Sequence, residues 1–222
     1  MARIAAKLRS ERWHIDPILA PDLSRLHTMI AAGLTHHGFV IQNSLRDALT
    51  TSRFLTVIDE PEVFISPIVD DFVQNNQRAA CLNSQLAYEP KGRLLRPDNL
   101  VIDHRDGSAT FYEMRRAASQ RGAGKWWGHV LDTLALRVLA ANYARSLGYR
   151  VTRGSAYLVA YYGGHRMPPE LVLTRGDLDE HFSFPVTQHI EAATVYYRQA
   201  LSRVLPLPGQ VLEWLTGALD PA

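Results

Sequence analysis

Asp98, Glu113 and Arg115 are the residues of this chain whose types and spacing point to chemistry. Asp98 lies in the run Arg96-Pro97-Asp98-Asn99-Leu100-Val101-Ile102-Asp103, and fifteen residues after it comes Glu113-Met114-Arg115. Two carboxylates and a cation gathered at one strand end can hold a divalent metal against a phosphate. Converging carboxylates repel, and one of them protonates unless positive charge sits between them. Hard oxygen donors of this kind suit Mg²⁺ or Mn²⁺ rather than zinc. The alternative is a surface hairpin in which Arg115 pairs with Asp98 and Glu113 is solvated.

The elements that must position these groups form a hairpin. Leu100 to His104 is apolar-rich and partly β-branched, and Ala109 to Met114 contains Thr110, Phe111 and Tyr112, all strand formers. Between them, Asp106-Gly107 is a tight-turn signal, because both residues tolerate positive φ. A turn symmetric about Asp106-Gly107 sets Asp98 opposite Arg115, Leu100 opposite Glu113 and Ile102 opposite Phe111. Side chains alternate with period two, so Asp98, Glu113 and Arg115 share a face, with Glu113 diagonal to Asp98. A bulge or an odd loop would break this register.

Pro97-Asp98, fourteen residues, then Glu113-Met114-Arg115 resembles the pattern of the PD-(D/E)XK nuclease superfamily, the restriction-endonuclease-like fold. The resemblance implies an α/β protein with an αβββαβ core around a mixed central sheet, plus extra N- and C-terminal helices. It implies that Asp98 and Glu113 are metal ligands for Mg²⁺, with Mn²⁺ as substitute; the hydrolytic step needs a further ligand, a second acid or a backbone carbonyl, for which the Met114 carbonyl is the candidate. Arg115 stands where the family has lysine. Arginine keeps its proton, so it cannot act as a base, but its fork can clamp a phosphate and stabilise charge growing on it. A metal-bound water would then be the nucleophile. Lys125, at the start of the next helix, is a second candidate for the missing ammonium, against a solvated helix end.

The order of elements supports this core. Leu82 to Tyr88 reads as the strand before the motif hairpin. Lys125 to Leu147 reads as a long helix, with Val130, Leu131, Leu134, Val138, Leu139 and Ala141 on its apolar face and Gly148 as its stop. Ala156 to Tyr162 follows as a strand. Upstream, Pro21 to His37 is helical with Gly38 as a stop, Ser44 caps a second helix to about Ile58, and Ser66-Pro67 opens a third to about Gln77. Downstream, helices are expected at Val186 to Leu205 and Gln210 to Leu219. The chain reads as a single domain over 1–222: a helical decoration at 1–40, the core at 41–165 and a helical extension at 166–222.

Composition is that of a globular protein: 222 residues, 46% apolar and 21% charged. The single cysteine, Cys81, excludes an internal disulfide and a cysteine-based zinc site, and a reducing, cytoplasmic compartment is the simplest inference. Met1 to Asp16 carries no apolar run of signal-peptide length, and no stretch suggests a membrane span. Net charge is only +2, but residues 91–125 hold eight Lys or Arg against four acids, +4 there and −2 elsewhere. Within that cluster Arg96, Arg116, Arg121 and Lys125 are candidate contacts to nucleic-acid phosphates.

Other patterns carry less. Gly122-Ala123-Gly124-Lys125 lacks the first glycine and the Ser/Thr of a P-loop, and there is no HExxH pair and no GxSxG elbow. Trp126-Trp127 can stack on bases or pack on the sheet, and packing is the commoner use. Glu60 and Glu62 precede the core where nucleases of this type place an additional acid, and neither is assigned. The favoured expectation is a metal-dependent DNA endonuclease. The runner-up is a catalytically silent relative that binds nucleic acid or a protein partner, and the third is a structural α/β protein. DNA is the expected partner, with a homodimer or another protein left open.

Overall fold

A run of β-branched residues, Thr56-Val57-Ile58, forms the first strand of the protein in its computed structural model. Residue 18 and residues 21–116, 123–163 and 166–203 are described. In chain order the elements are α1 (Pro21–Thr50), β1 (Leu55–Asp59), β2 (Val63–Ile65), α2 (Pro67–Asn75), α3 (Arg78–Asn83) and β3 (Arg93–Leu95). There follow β4 (Asn99–Asp103), β5 (Ser108–Arg115), α4 (Ala123–Ser146), β6 (Arg153–Ala160), β7 (Val172–Leu173), α5 (Arg175–Phe182) and α6 (Val186–Ser202). A short 3₁₀ turn, Pro169–Leu171, precedes β7. No helix among the described residues is long and apolar enough to cross a membrane.

The main sheet is mixed, with five strands in the order β1-β4-β5-β6-β7. β1, β4 and β5 run antiparallel, while β6 pairs parallel to β5 and β7 parallel to β6. α4 makes the crossover that a parallel β5–β6 pair requires. The protein is therefore α/β with a mixed sheet, as expected. A separate two-stranded ribbon, β2–β3, is inserted between β1 and β4.

One face of the sheet packs on α4. Leu100, Ile102, Ala109, Phe111, Ala156, Leu158 and Ala160 meet Val130, Leu134, Val138, Leu139 and Ala141, all buried. Leu131 is only partly buried. Gly154 lets β6 approach α4 closely: a Cβ there would stand 2.6 Å from the Ala141 nitrogen. On the opposite face Tyr112 lies under α5, where its hydroxyl meets His181 Nε2 at 2.7 Å and its ring lies 5.4 Å from Phe182. α5 begins with a reciprocal cap between Thr174 and Asp177.

Several expected boundaries are corrected. Leu82 to Tyr88 is not a strand. Its first two residues end α3, and the rest is tied to α4: Leu86 N–H donates to Val138 O at 2.8 Å, and Asn142 Nδ2 donates to Leu86 O at 2.7 Å. The strand beside β4 is instead Leu55–Asp59, in a segment expected to be helical. α1 runs through Gly38 as one helix, because the buried stripe Ile41, Leu45, Ala48 and Leu49 continues beyond it. α2 starts where expected, with Ser66 Oγ accepting from Val69 N–H and Pro67 in the first turn. α6 starts at Val186 as expected, whereas Gln210 to Leu219 lies outside the described residues.

The described residues fall into two compact units, 21–44 with 187–203, and 45–186. In the first, His37 Nε2 meets Thr194 Oγ1 at 3.1 Å, and the Tyr197 hydroxyl donates to Gly33 O at 2.7 Å. The second unit holds the sheet and all the residues discussed next.

Candidate functional site at the sheet end

The motif hairpin forms with a register two residues away from the one expected. Asn99 pairs with Tyr112, Leu100 with Phe111 and Asp103 with Ser108. The loop is the four residues 104–107, and it is shaped by two side chains: Asp103 Oδ1 accepts from Arg105 N–H, and Asp106 Oδ1 accepts from Ser108 N–H, both at 2.9 Å. Gly107 closes it at φ +64°. A slip of two preserves the face of every side chain, whereas a slip of one would have inverted it. Extended one step, this register sets Asp98 directly opposite Glu113 and leaves Arg115 beyond the facing strand. The expected Asp98–Arg115 opposition is thus replaced by opposition of the two acids.

The row is longer than two. Continuing the β1–β4 ladder sets Glu60 opposite Asp98, and Glu60 N–H donates to Asp98 O at 3.0 Å. Glu60 holds φ +43°, a left-handed conformation costly for a non-glycine residue, and such strain concentrates at functional sites. Glu60 thus follows the last residue of β1, Asp98 precedes the first of β4, and the charge of Glu60 acts on Asp98 as that of Asp98 acts on Glu113. Asp132 of α4 belongs to the same neighbourhood, since its charge acts on Glu113. Sequence alone did not single out Asp132, because only the packing of α4 on the sheet relates it to Glu113.

Hydrogen bonds aim the two central acids. Met114 N–H donates to Asp98 Oδ2 at 2.5 Å. A residue in extended backbone directs its N–H and C=O to the same side, so the Met114 carbonyl also points toward Asp98. Arg115 Nη2 donates to Glu113 Oε1 at 2.5 Å.

Burial raises the pKa of Asp98, opposed by the Met114 N–H and by Arg115 and reinforced by the charges of Glu60 and Asp59. Glu113 is pushed up to about 7, by burial first and then by the charge of Asp98, with Arg115 acting against both. The site holds more negative charge than it can keep ionised near neutrality without a further cation. Beside Asp98, Asn99 is fully buried, and its amide finds no hydrogen-bond partner among the described residues.

The donor set fits a hard divalent cation. Mg²⁺ commonly takes one or two carboxylates and completes its octahedron with waters and substrate phosphate. For such an ion Asp98 and Glu113 would be the carboxylates and Met114 the carbonyl. No three His, Cys, Asp or Glu side chains among the described residues converge to hold a metal by themselves.

The cations nearby are mostly engaged. Arg96 pairs with Glu62, Nη2 to Oε1 at 2.6 Å, with both side chains exposed. Arg93 bridges Asp70 at 2.9 Å and Asp132 at 2.7 Å. Lys91 pairs with Glu89, and Arg105 with Asp103. Arg116 lies 5.4 Å over the ring of Tyr162. Arg121, and the side chain of Lys125 at the start of α4, lie outside the described residues. Exposed ion pairs such as Arg96–Glu62 are weak, and a phosphate can compete for the arginine. His129 is exposed on α4, two residues after Trp127.

No family model, curated protein or solved structure matches this chain.

Proposed function

We propose that this protein is a Mg²⁺-dependent nuclease that hydrolyses phosphodiester bonds of DNA, built on a restriction-endonuclease-like core. The observation that carries the proposal is the meeting of Asp98 and Glu113 just beyond the last pair of the β4–β5 ladder, where Met114 N–H holds Asp98, the charge of Asp98 acts on Glu113, and Arg115 donates to Glu113. A structural hairpin gains nothing from two half-buried acids set against each other, since each raises the cost of ionising the other. The order β1-β4-β5-α4-β6 within the second unit supports the fold assignment.

Asp98, Glu113 and the Met114 carbonyl would hold Mg²⁺, or Mn²⁺ in its place. Once bound, the ion supplies Lewis-acid polarisation of the scissile phosphate and an activated water. Asp98 is held for this by Met114 N–H and by the backbone of Glu60. Arg115, released from Glu113 as the phosphate arrives, clamps a non-bridging oxygen and offsets the charge that grows there.

The second reading is a relative that binds nucleic acid without cutting it. One observation favours it: Arg115 stands in place of a lysine and is spent on Glu113 in the protein alone. The two separate on incubation with plasmid, branched and single-stranded DNA, with Mg²⁺ or Mn²⁺, beside Asp98→Ala and Glu113→Ala. Cleavage abolished by both substitutions supports the nuclease. Salt-sensitive binding without cleavage, weakened by Arg115→Ala, supports the binder. If Arg115→Lys alone cuts, arginine is what silenced the site.

A further inference from the structure

The sheet end that carries Glu113 and Arg115 also carries aromatic groups that phosphodiester hydrolysis leaves unused. α4 returns from the C-terminal end of β5 to begin β6, so its first turns stand at the same end as Arg115. Trp126 packs against the core. Trp127 does not: it is 51% exposed, and its ring is steadied edge-on by Trp126, 5.5 Å away at 78°. A lone exposed apolar side chain needs no explanation. A second aromatic group stands at the same end of the sheet. Just past the end of β6, the neighbouring strand, Tyr162 lies under the Arg116 guanidinium at 5.4 Å, and its N–H donates to Arg116 O at 3.0 Å. Tyr161 supports that ring edge-on at 5.0 Å. Among the described residues Arg115 and Arg116 follow Glu113 at this end.

We propose that this end of the sheet is a platform for single-stranded nucleic acid, with Trp127 stacking on an unpaired base and Arg116 on Tyr162 receiving another nucleotide of the same strand. The inference rests on the nuclease-fold reading for the polymer's chemistry and adds its strandedness. A duplex keeps its base faces inside the stack and offers only edges and phosphates. An exposed indole therefore gains little from a duplex, and most from a base already out of the stack. Rigid aromatics interleaved with cations are the arrangement that tracks a single strand without demanding a sequence.

The test uses the full chain in EDTA, so that binding is read without cleavage. Fluorescence anisotropy compares a labelled oligo(dT) of about twenty nucleotides, long enough for one such site, with a blunt duplex of the same length. The single strand binds the wild type more tightly than the duplex. Trp127→Ala weakens oligo(dT) binding by about tenfold, Trp127→Phe restores most of it, and duplex binding is unchanged, the size expected for one lost base stack. Trp127 is exposed, so both variants keep the wild-type melting curve. Duplex bound as tightly as oligo(dT), or a Trp127→Ala variant that binds oligo(dT) normally, overturns the proposal. Duplex cleavage that needs Asp98, with Trp127 irrelevant, overturns strandedness while the nuclease stands. Trp127-dependent binding of oligo(dT) with no cleavage in Mg²⁺ overturns the nuclease while the platform stands.

Discussion

The backbone N–H of Met114 donates to Asp98 Oδ2 across the open end of the β4–β5 ladder. The acid of one strand is thereby aimed by the main chain of the next, a support that no substitution at Met114 except proline removes. Asp98→Asn keeps an acceptor oxygen for this N–H, whereas Asp98→Ala leaves a buried donor without a partner. Urea titration should show Asp98→Ala losing about 1–3 kcal/mol, the penalty of an orphaned buried donor, and Asp98→Asn losing less. Both should be without Mg²⁺-dependent cleavage. Equal stability of the two variants would show that the contact does not hold the hairpin end.

Glu113, at about 7, is bound to a proton in the folded protein across a pH range where the unfolded chain has released it. The native state then carries more protons than the unfolded state, so stability falls as pH rises from the ordinary glutamate range toward 7, and recovers on acidification. The span corresponds to roughly 3 kcal/mol at most, at about 1.4 kcal/mol per pKa unit. In metal-free protein, Glu113→Gln should flatten this part of the stability profile and be more stable than wild type at pH 8. Metal binding needs the carboxylate, so Mg²⁺ affinity should drop below pH 7 and its uptake should release a proton, measurable by calorimetry in two buffers.

Arg115 is the group that lowers the pKa of both acids. Arg115→Ala should move the pH midpoint of Mg²⁺ binding upward and cut cleavage by about 10²–10³, the scale of one lost charge-stabilising donor. Arg115→Lys should restore the midpoint, because it restores the charge. A midpoint that does not move in Arg115→Ala would place the cation outside the site.

Two glycines carry the packing that frames the sheet. Gly92 holds φ +111°, and a Cβ there would meet Ile65 O at 2.0 Å. Gly154 would drive its Cβ into α4. Gly92→Ala combines a backbone clash with a forbidden φ and should cost more than about 3 kcal/mol. Gly154→Ala should cost about 1–3 kcal/mol, the usual range for overpacking. Denaturant midpoints with unchanged m-values check both.

Local chemistry is legible in the sequence alone. Asp106-Gly107 and the β-branched and aromatic runs beside it specify a hairpin, and period two then sets Asp98 and Glu113 on one face whether the register is the expected one or two residues away. The long apolar stripe from Val130 to Ala141 specifies α4, and Ser66-Pro67 specifies the start of α2. Tertiary structure decided the rest, because the deciding partners are distant in sequence. Thr56-Val57-Ile58 became a strand only by pairing with β4, and the segment before Tyr88 lost its strand to hydrogen bonds from α4. The two-residue shift arose in a loop whose Asx contacts are invisible to a symmetric-turn argument, and it turned a diagonal pair of acids into an opposed one. Glu60 and Asp132 joined that pair only when β1 and α4 were laid against it. A charge acts through distance in space, and distance in space is what a chain acquires on folding.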